Sequence, residues 1–219
     1  MNRPEKPRLN ILGASGHGKV VADIAKLNGY SEIYFFDDDR SIKECAGYPV
    51  VGTENDLSAA IGHIFIAIGN AKTRRRVMEK YNNRYFPVLI HPSAVVADGV
   101  EIGHGTVVMA GAVINPGVRI GRGCIVNTLS SIDHDCKNGD YCHIAVGVHL
   151  CGTVTVGAGT WIGAGATVSN NVNICSNATI GAGAVVIHDI GEEGTYIGVP
   201  AKNMSKQKLT GGGVRHPSP

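Results

Sequence analysis

From residue 94 onward the chain repeats with a period of six. Every sixth residue from Val96 to Val186 is Val, Ile or Leu, with Asn138 as the exception and no insertion anywhere in the series. The residue two before each aliphatic is small or β-branched, as at Ala112, Val118, Cys124, Ser130, Cys136, Cys142, Val148 and Ala166. The residue after it is often glycine (Gly103, Gly121, Gly139, Gly157, Gly163, Gly181), which suggests a corner with unusual backbone angles. A long uniform repeat outranks every local signal, because each unit buries its apolar face only by stacking on its neighbours. One large and one small inward residue per short strand, with a tight corner between strands, describes a parallel β-helix. In that arrangement Cys124, Cys136 and Cys142 are core filler. A metal centre would need Cys and His side chains converging on one point, so no metal is expected.

Residues 94–190 resemble the left-handed hexapeptide β-helix, in which three hexapeptides form one triangular coil of roughly eighteen residues. Sorting outward residues on that geometry gives three faces. One carries Val95, Val113, Ser131, His149, Thr167 and Val185, and a second carries Val107, Ile125, His143, Trp161 and Thr179. The third, with Glu101, Arg119, Lys137, Thr155 and Asn173, alone looks fully solvated. Two apolar faces suggest a three-fold assembly. His134 falls on a corner and His143 on a face half a coil away. The two would then meet only across a subunit boundary, in a homotrimer with three such sites.

Residues 8–90 read as a small Rossmann-like α/β unit: "LNILGAS" as a buried strand, "GHGKVVADIAKLNG" as a helix, "EIYFFDDD" and "HIFIAIGN" as further strands, and "KTRRRVMEKY" as a helix. The strand-to-helix turn Gly13-Ala14-Ser15-Gly16-His17-Gly18 suits phosphate, although its order is G-x-x-G-x-G. A nicotinamide dinucleotide with Asp37 on the ribose would need hydride chemistry that nothing else in the chain supplies. The basic run Lys72–Arg76 reads as a solvated helix face. Net charge is only +2, which gives no reason to expect a nucleic-acid partner. No stretch reaches membrane-spanning length, and no secretory signal is evident. A cytoplasmic protein with reduced cysteines is expected. The remaining boundaries are a polar lead-in over 1–7, the β-helix domain over 91–190, a closing segment over 191–204 and a flexible tail over 205–219.

"NTLSSIDHDC" (127–136), taken with "GASGHGKV", "FFDDD", "IAIGN" and the closing "YIGVPAKNM", resembles the bacterial nucleotide-amino-sugar N-acetyltransferases of the UDP-N-acetylbacillosamine type and the related sialic acid O-acetyltransferases. The resemblance runs from about residue 9 to 204. It implies acetyl-CoA as co-substrate and a nucleotide sugar as acceptor, the best guess being a UDP-linked 4-amino-4,6-dideoxy-N-acetylglucosamine. It makes His134 the general base, Asp135 its partner and Asn127 a supporting group; relatives often have Glu in place of Asp135. It places His143 by the thioester, and Gly163, Ala164, Gly181 and Ala182 along the pantetheine arm; Lys202 reads as a solvated lysine rather than a contact to a CoA phosphate. It assigns Ser15, Gly16, His17, Asp37, Asp38, Asp39 and Gly69 to the acceptor. The rival readings are sialic acid O-acetylation and, in another class, a non-catalytic nucleotide-sugar-binding protein.

Overall fold

A computed structural model describes residues 6–206 of the chain; the lead-in before residue 6 and the tail from residue 207 lie outside it. The unalternated run Leu9–Leu12 forms β1, buried throughout as expected of a strand covered on both faces. It is followed by α1 (Gly16–Leu27), which buries Gly18, Val21, Ala22 and Ala25 at the spacing of one helical face. β2 (Ile33–Phe36) pairs parallel to one side of β1. A hairpin follows, made of β3 (Glu44–Cys45) and β4 (Tyr48–Gly52), and β4 then pairs with β2. Then come β5 (His63–Ile66) on the other side of β1 and α2 (Ala71–Lys80). The resulting sheet order is β3-β4-β2-β1-β5. The hairpin turns through Ala46 and Gly47, both at positive φ (53° and 80°), the signature of a two-residue primed turn. Alanine in the first place left that turn without a sequence signal.

β6 (Leu89–Ile90) opens the second unit, a left-handed parallel β-helix whose two-residue strands line three faces. Partners lie eighteen residues apart, as in Val113↔Ser131, Lys137↔Thr155 and His143↔Trp161. The faces are those read from the sequence. The interior is one column of aliphatics and small residues, including Cys124, Cys136 and Cys142. Asn138 takes an aliphatic's place in it, buried, its side-chain amide without a hydrogen-bond partner among the described residues.

The role of the glycines differs from the expectation. From Val96 to Ile180 the positive φ falls three residues after each inward position, not one. It is taken by glycine at Gly99, Gly105, Gly111, Gly117, Gly123, Gly147, Gly159, Gly165 and Gly183, and by Leu129, Asp135, Tyr141, Thr153, Asn171 and Asn177 at the corners between. Glycine directly after the aliphatic serves coil stacking instead. A Cβ on Gly157 would lie 2.3 Å from Ser176 N, and one on Gly121 would lie 2.6 Å from Asp140 N.

Two other expectations change at the junction of the units. Val107 and Ile125 form one buried cluster with Leu9, Ile11, Val21 and Phe35. The first coils of that apolar face are therefore covered by the chain's own N-terminal unit and give no reason to invoke a neighbour. The run Lys72–Arg76 is a solvated face at Lys72, Arg75 and Arg76, all exposed, but not at Arg74. Arg74 is 1% exposed, Arg75 pairs with Glu79, and Arg76 pairs with Glu54. Arg74 shares the inward face of this helix with Val77 and Met78, three and four residues on, so a guanidinium takes a place that the helical spacing gives to an apolar residue.

Candidate active site

The corner after the Ser131–Ile132 strand carries His134. Asp135 follows it in the left-handed region (φ 59°), a conformation aspartate tolerates better than most residues. There its Oδ2 lies 2.9 Å from His134 Nδ1. A carboxylate only accepts, so Nδ1 carries the proton and the neutral ring keeps its lone pair on Nε2. Asp133 completes the corner: its Oδ1 accepts from the His134 backbone N–H and from Asn115 Nδ2, each at 2.8 Å. The Asp135 hydrogen bond, followed by the charge of Asp133, raises the imidazole above its ordinary pKa. One coil on, a Cβ at Gly152 would stand 2.5 Å from Nε2, so glycine there leaves the ring its place. Asn115 and Gly152 were not picked out from the sequence, since each lies eighteen residues from its partner at this corner and only coil stacking brings them together.

His143 sits on a different face of the prism, in a cleft of about 630 Å³ between the two units. One wall is Gly69, Asn70, Ala71 and Lys72, at the start of α2. The other is His143, Thr160, Trp161, Asn177, Thr179 and Glu193. Trp161 stacks beside the imidazole, with ring centroids 6.1 Å apart. Asn127 Nδ2 lies 3.3 Å from His143 Nε2, so Asn127 attends His143 rather than His134. Burial, then the charge of Arg74 and His17, pushes His143 down to about 4, and it is neutral at any ordinary pH. None of the residues at the His134 corner lines this cleft. Within one chain the two histidines are separate.

A second cavity, of about 270 Å³, lies at the mouth of the N-terminal sheet and is lined by Ser15, Asp37, Asp38, Gly69, Glu54, Thr73 and Arg76 among others. Gly69 thus borders both cavities. The three aspartates organise backbone. Asp37 accepts from the N–H groups of Ala14 (2.7 Å) and Asp39 (2.9 Å), Asp38 from that of Glu54 (3.0 Å), and Asp39 from Ser41 N (2.9 Å). Hydrogen bonds from Ser41 keep the Asp39 carboxyl below its usual range, and Asp39 does not line the cavity. Within the glycine turn, Gly13 and Gly18 answer to packing, since an added Cβ would meet Ala67 O at 2.7 Å and Gly13 O at 2.1 Å. Gly16 and Gly69 have open space where a side chain would go. His17 lies outside the cavity. Burial, then Arg74, pushes it down to about 4, and its Nε2 is buried without a partner among the described residues. Glu54, which no sequence motif marked, is gripped by Arg76 and Lys80 and held at about 2, chiefly by the Arg76 hydrogen bonds.

Gly163 and Gly181 stand at the corner beyond the cleft. Their missing Cβ atoms make room for Ile180 O (2.6 Å) and the Ile197 side chain (2.7 Å). The surface there is offered by Ala164 and Ala182, both exposed, and Lys202 is exposed in the closing segment. Among the described residues no cluster of His, Cys, Asp or Glu is arranged to hold a metal ion, and no helix is long and apolar enough to cross a membrane.

Residues 8–81 match the family model described as the PglD N-terminal domain. The chain is 32% identical over 168 residues to GDP-perosamine N-acetyltransferase of Escherichia coli O157:H7, covering 72% of this chain and 76% of that protein. It is 35% identical over 108 residues to UDP-N-acetylbacillosamine N-acetyltransferase of Bacillus subtilis (strain 168), covering 46% and 50% of the two. Among solved structures it resembles the acetyltransferase domain of PglB from Neisseria gonorrhoeae FA1090 in complex with acetyl coenzyme A. The TM-score is 0.88 and the identity 41%, over 91% of this chain and all (100%) of that one.

Proposed function

The chain belongs to the nucleotide-amino-sugar N-acetyltransferases of the hexapeptide-repeat fold, and from that footing we propose that its acceptor is a UDP-linked 4-amino-4,6-dideoxy-N-acetylhexosamine, acetylated on the 4-amino group. It is an acetyl-CoA-dependent sugar N-acetyltransferase. The observation that carries the mechanistic reading is the His134–Asp135 pair, an imidazole with Nδ1 tied to a carboxylate and Nε2 left as a base.

In this reading His134 Nε2 takes a proton from the amine as the nitrogen attacks the thioester carbonyl carbon. The new C–N bond forms, the tetrahedral oxyanion collapses, and the C–S bond breaks. The imidazolium then returns the proton to the leaving CoA sulfur. His143, neutral and steadied by Asn127, offers an N–H to the thioester oxygen. Acetyl-CoA runs along the corner of Ala164 and Ala182, where Gly163 and Gly181 let the coils close beneath it. The acceptor's nucleotide occupies the cavity of Ser15, Asp37 and Asp38. The open backbone at Gly16 and Gly69 admits its phosphates and sugar, while His17 and Asp39 lie outside that cavity. Use of acetyl-CoA and a nucleotide sugar fits a cytoplasmic protein.

Since His134 and His143 are apart within a chain, the site in this reading lies between subunits of a homotrimer. Its free contact surface is the face of Val95, Val113, Ser131, His149, Thr167 and Val185, which the N-terminal unit leaves uncovered.

The test is CoA thiol release from acetyl-CoA with the UDP-4-amino sugar, GDP-perosamine or free sialic acid offered in turn. Turnover is expected with the UDP-4-amino sugar. It should fall by roughly 10²–10⁴ in His134→Ala, the usual contribution of a general base. Preference for GDP-perosamine would move the acceptor, and turnover with sialic acid alone would move the protein to O-acetylation. Full activity in His134→Ala would overturn the base.

A further inference from the structure

Arg74 is a buried cation whose hydrogen-bond partners, among the described residues, are all backbone carbonyls. Nε donates to Gly123 O (2.9 Å) and Nη2 to Tyr141 O (2.8 Å), both in the β-helix. Nη1 donates to Ile68 O (3.0 Å) and Gly69 O (2.6 Å), both in the N-terminal unit. A desolvated guanidinium is costly unless its donors are satisfied. Four carbonyls meet that need, and the rigid fork fixes them relative to one another in a way a lysine ammonium does not.

The carbonyls are not scattered. Gly69 forms the rim shared by the two cavities and begins the wall that continues into α2. Tyr141 is two residues before His143, on the opposite wall. One planar group therefore sets the spacing between the wall assigned to the acceptor and the wall assigned to the thioester. The guanidinium also adds to the burial that holds His143 down at about 4.

We propose that Arg74 is a positioning residue for acetyl transfer, tying the Gly69 rim to the His143 strand so that amine and thioester are presented to each other at one fixed separation. This rests on the acceptor and donor assignments above. Proximity of two reactants is worth orders of magnitude in rate and is lost over displacements of about an ångström. The proposal therefore predicts an effect on turnover more than on binding of either substrate alone.

The experiment compares the full chain with Arg74→Lys and Arg74→Met. Dissociation constants for acetyl-CoA and for the nucleotide amino sugar are measured separately by calorimetry, kcat is normalised to the binding stoichiometry, and folding is followed by thermal melting. Expected is a kcat at least tenfold lower in Arg74→Met, with both dissociation constants within about threefold of the parent and Arg74→Lys intermediate. Unchanged kcat in a folded Arg74→Met protein would overturn the proposal. So would weakened binding with kcat retained. Loss of the cooperative melt in both variants would do the same, by making Arg74 a residue of the fold alone. Turnover by the parent chain is the control that separates these outcomes from failure of the acceptor assignment: a parent inactive with every acceptor offered would overturn that assignment, and this proposal with it.

Discussion

At the scale of single residues, the account turns on a histidine raised and a histidine lowered. Asp135 accepts from His134 Nδ1 and stabilises its imidazolium. A base must be neutral to work, so kcat/KM should fall as pH drops through the raised His134 pKa. Asp135→Asn removes the charge and keeps a side chain that tolerates the left-handed corner. The acid limb should then move to lower pH, toward the ordinary value of about 6.5, while the plateau drops by on the order of tenfold or more because the ring loses its orienting partner. The acceptor amine titrates alike in both proteins, so the difference between the two profiles belongs to His134. A limb that stays in place would separate Asp135 from the titration. The sequence carried this pair openly, as neighbours in the chain within a family motif. It did not carry Asn115, Gly152 or Glu54, whose partners lie sixteen or more residues away and whose surroundings follow from coil stacking or sheet order.

At the scale of elements, the hexapeptide period was legible to the single residue, because each coil's fit depends on the same inward aliphatic. What was not legible is why particular glycines are required. The pattern places glycine at two corner positions for two different reasons, one conformational and one steric, and a sequence shows only that no side chain is there. The steric class makes a sharp prediction. Gly157→Ala drives a Cβ to 2.3 Å from Ser176 N and 2.5 Å from Cys175 C, backbone atoms that move only if the next coil moves. A loss of about 1–3 kcal/mol in chemical denaturation is expected, in the range of overpacking. A variant as stable as the parent would show that the coils slide apart freely. Arg74 alone departs from the solvated face expected of the basic run of α2, for a related reason. Charge is a sound guide to solvation until another unit brings carbonyls to meet it, and nothing within α2 says that the β-helix does so at Gly123 and Tyr141.

At the scale of the molecule, the N-terminal unit covers Val107 and Ile125 and leaves the Val95–Val185 face open. The proposed chemistry is likewise divided, with His134 on one edge of the prism and the His143 cleft on the opposite face. Both divisions are resolved if neighbouring chains complete each other's sites around a three-fold axis. The measurement that tests this most directly mixes two inactive proteins. His134→Ala and His143→Ala subunits, dissociated and reassembled together in equal amounts, form some boundaries at which an intact His134 of one chain meets an intact His143 of the next. Random assembly makes about a quarter of the sites whole, so CoA release from acetyl-CoA should recover to about a quarter of the parent rate. Reassembled mixtures no more active than the sum of the separate variants would contradict a site shared between chains.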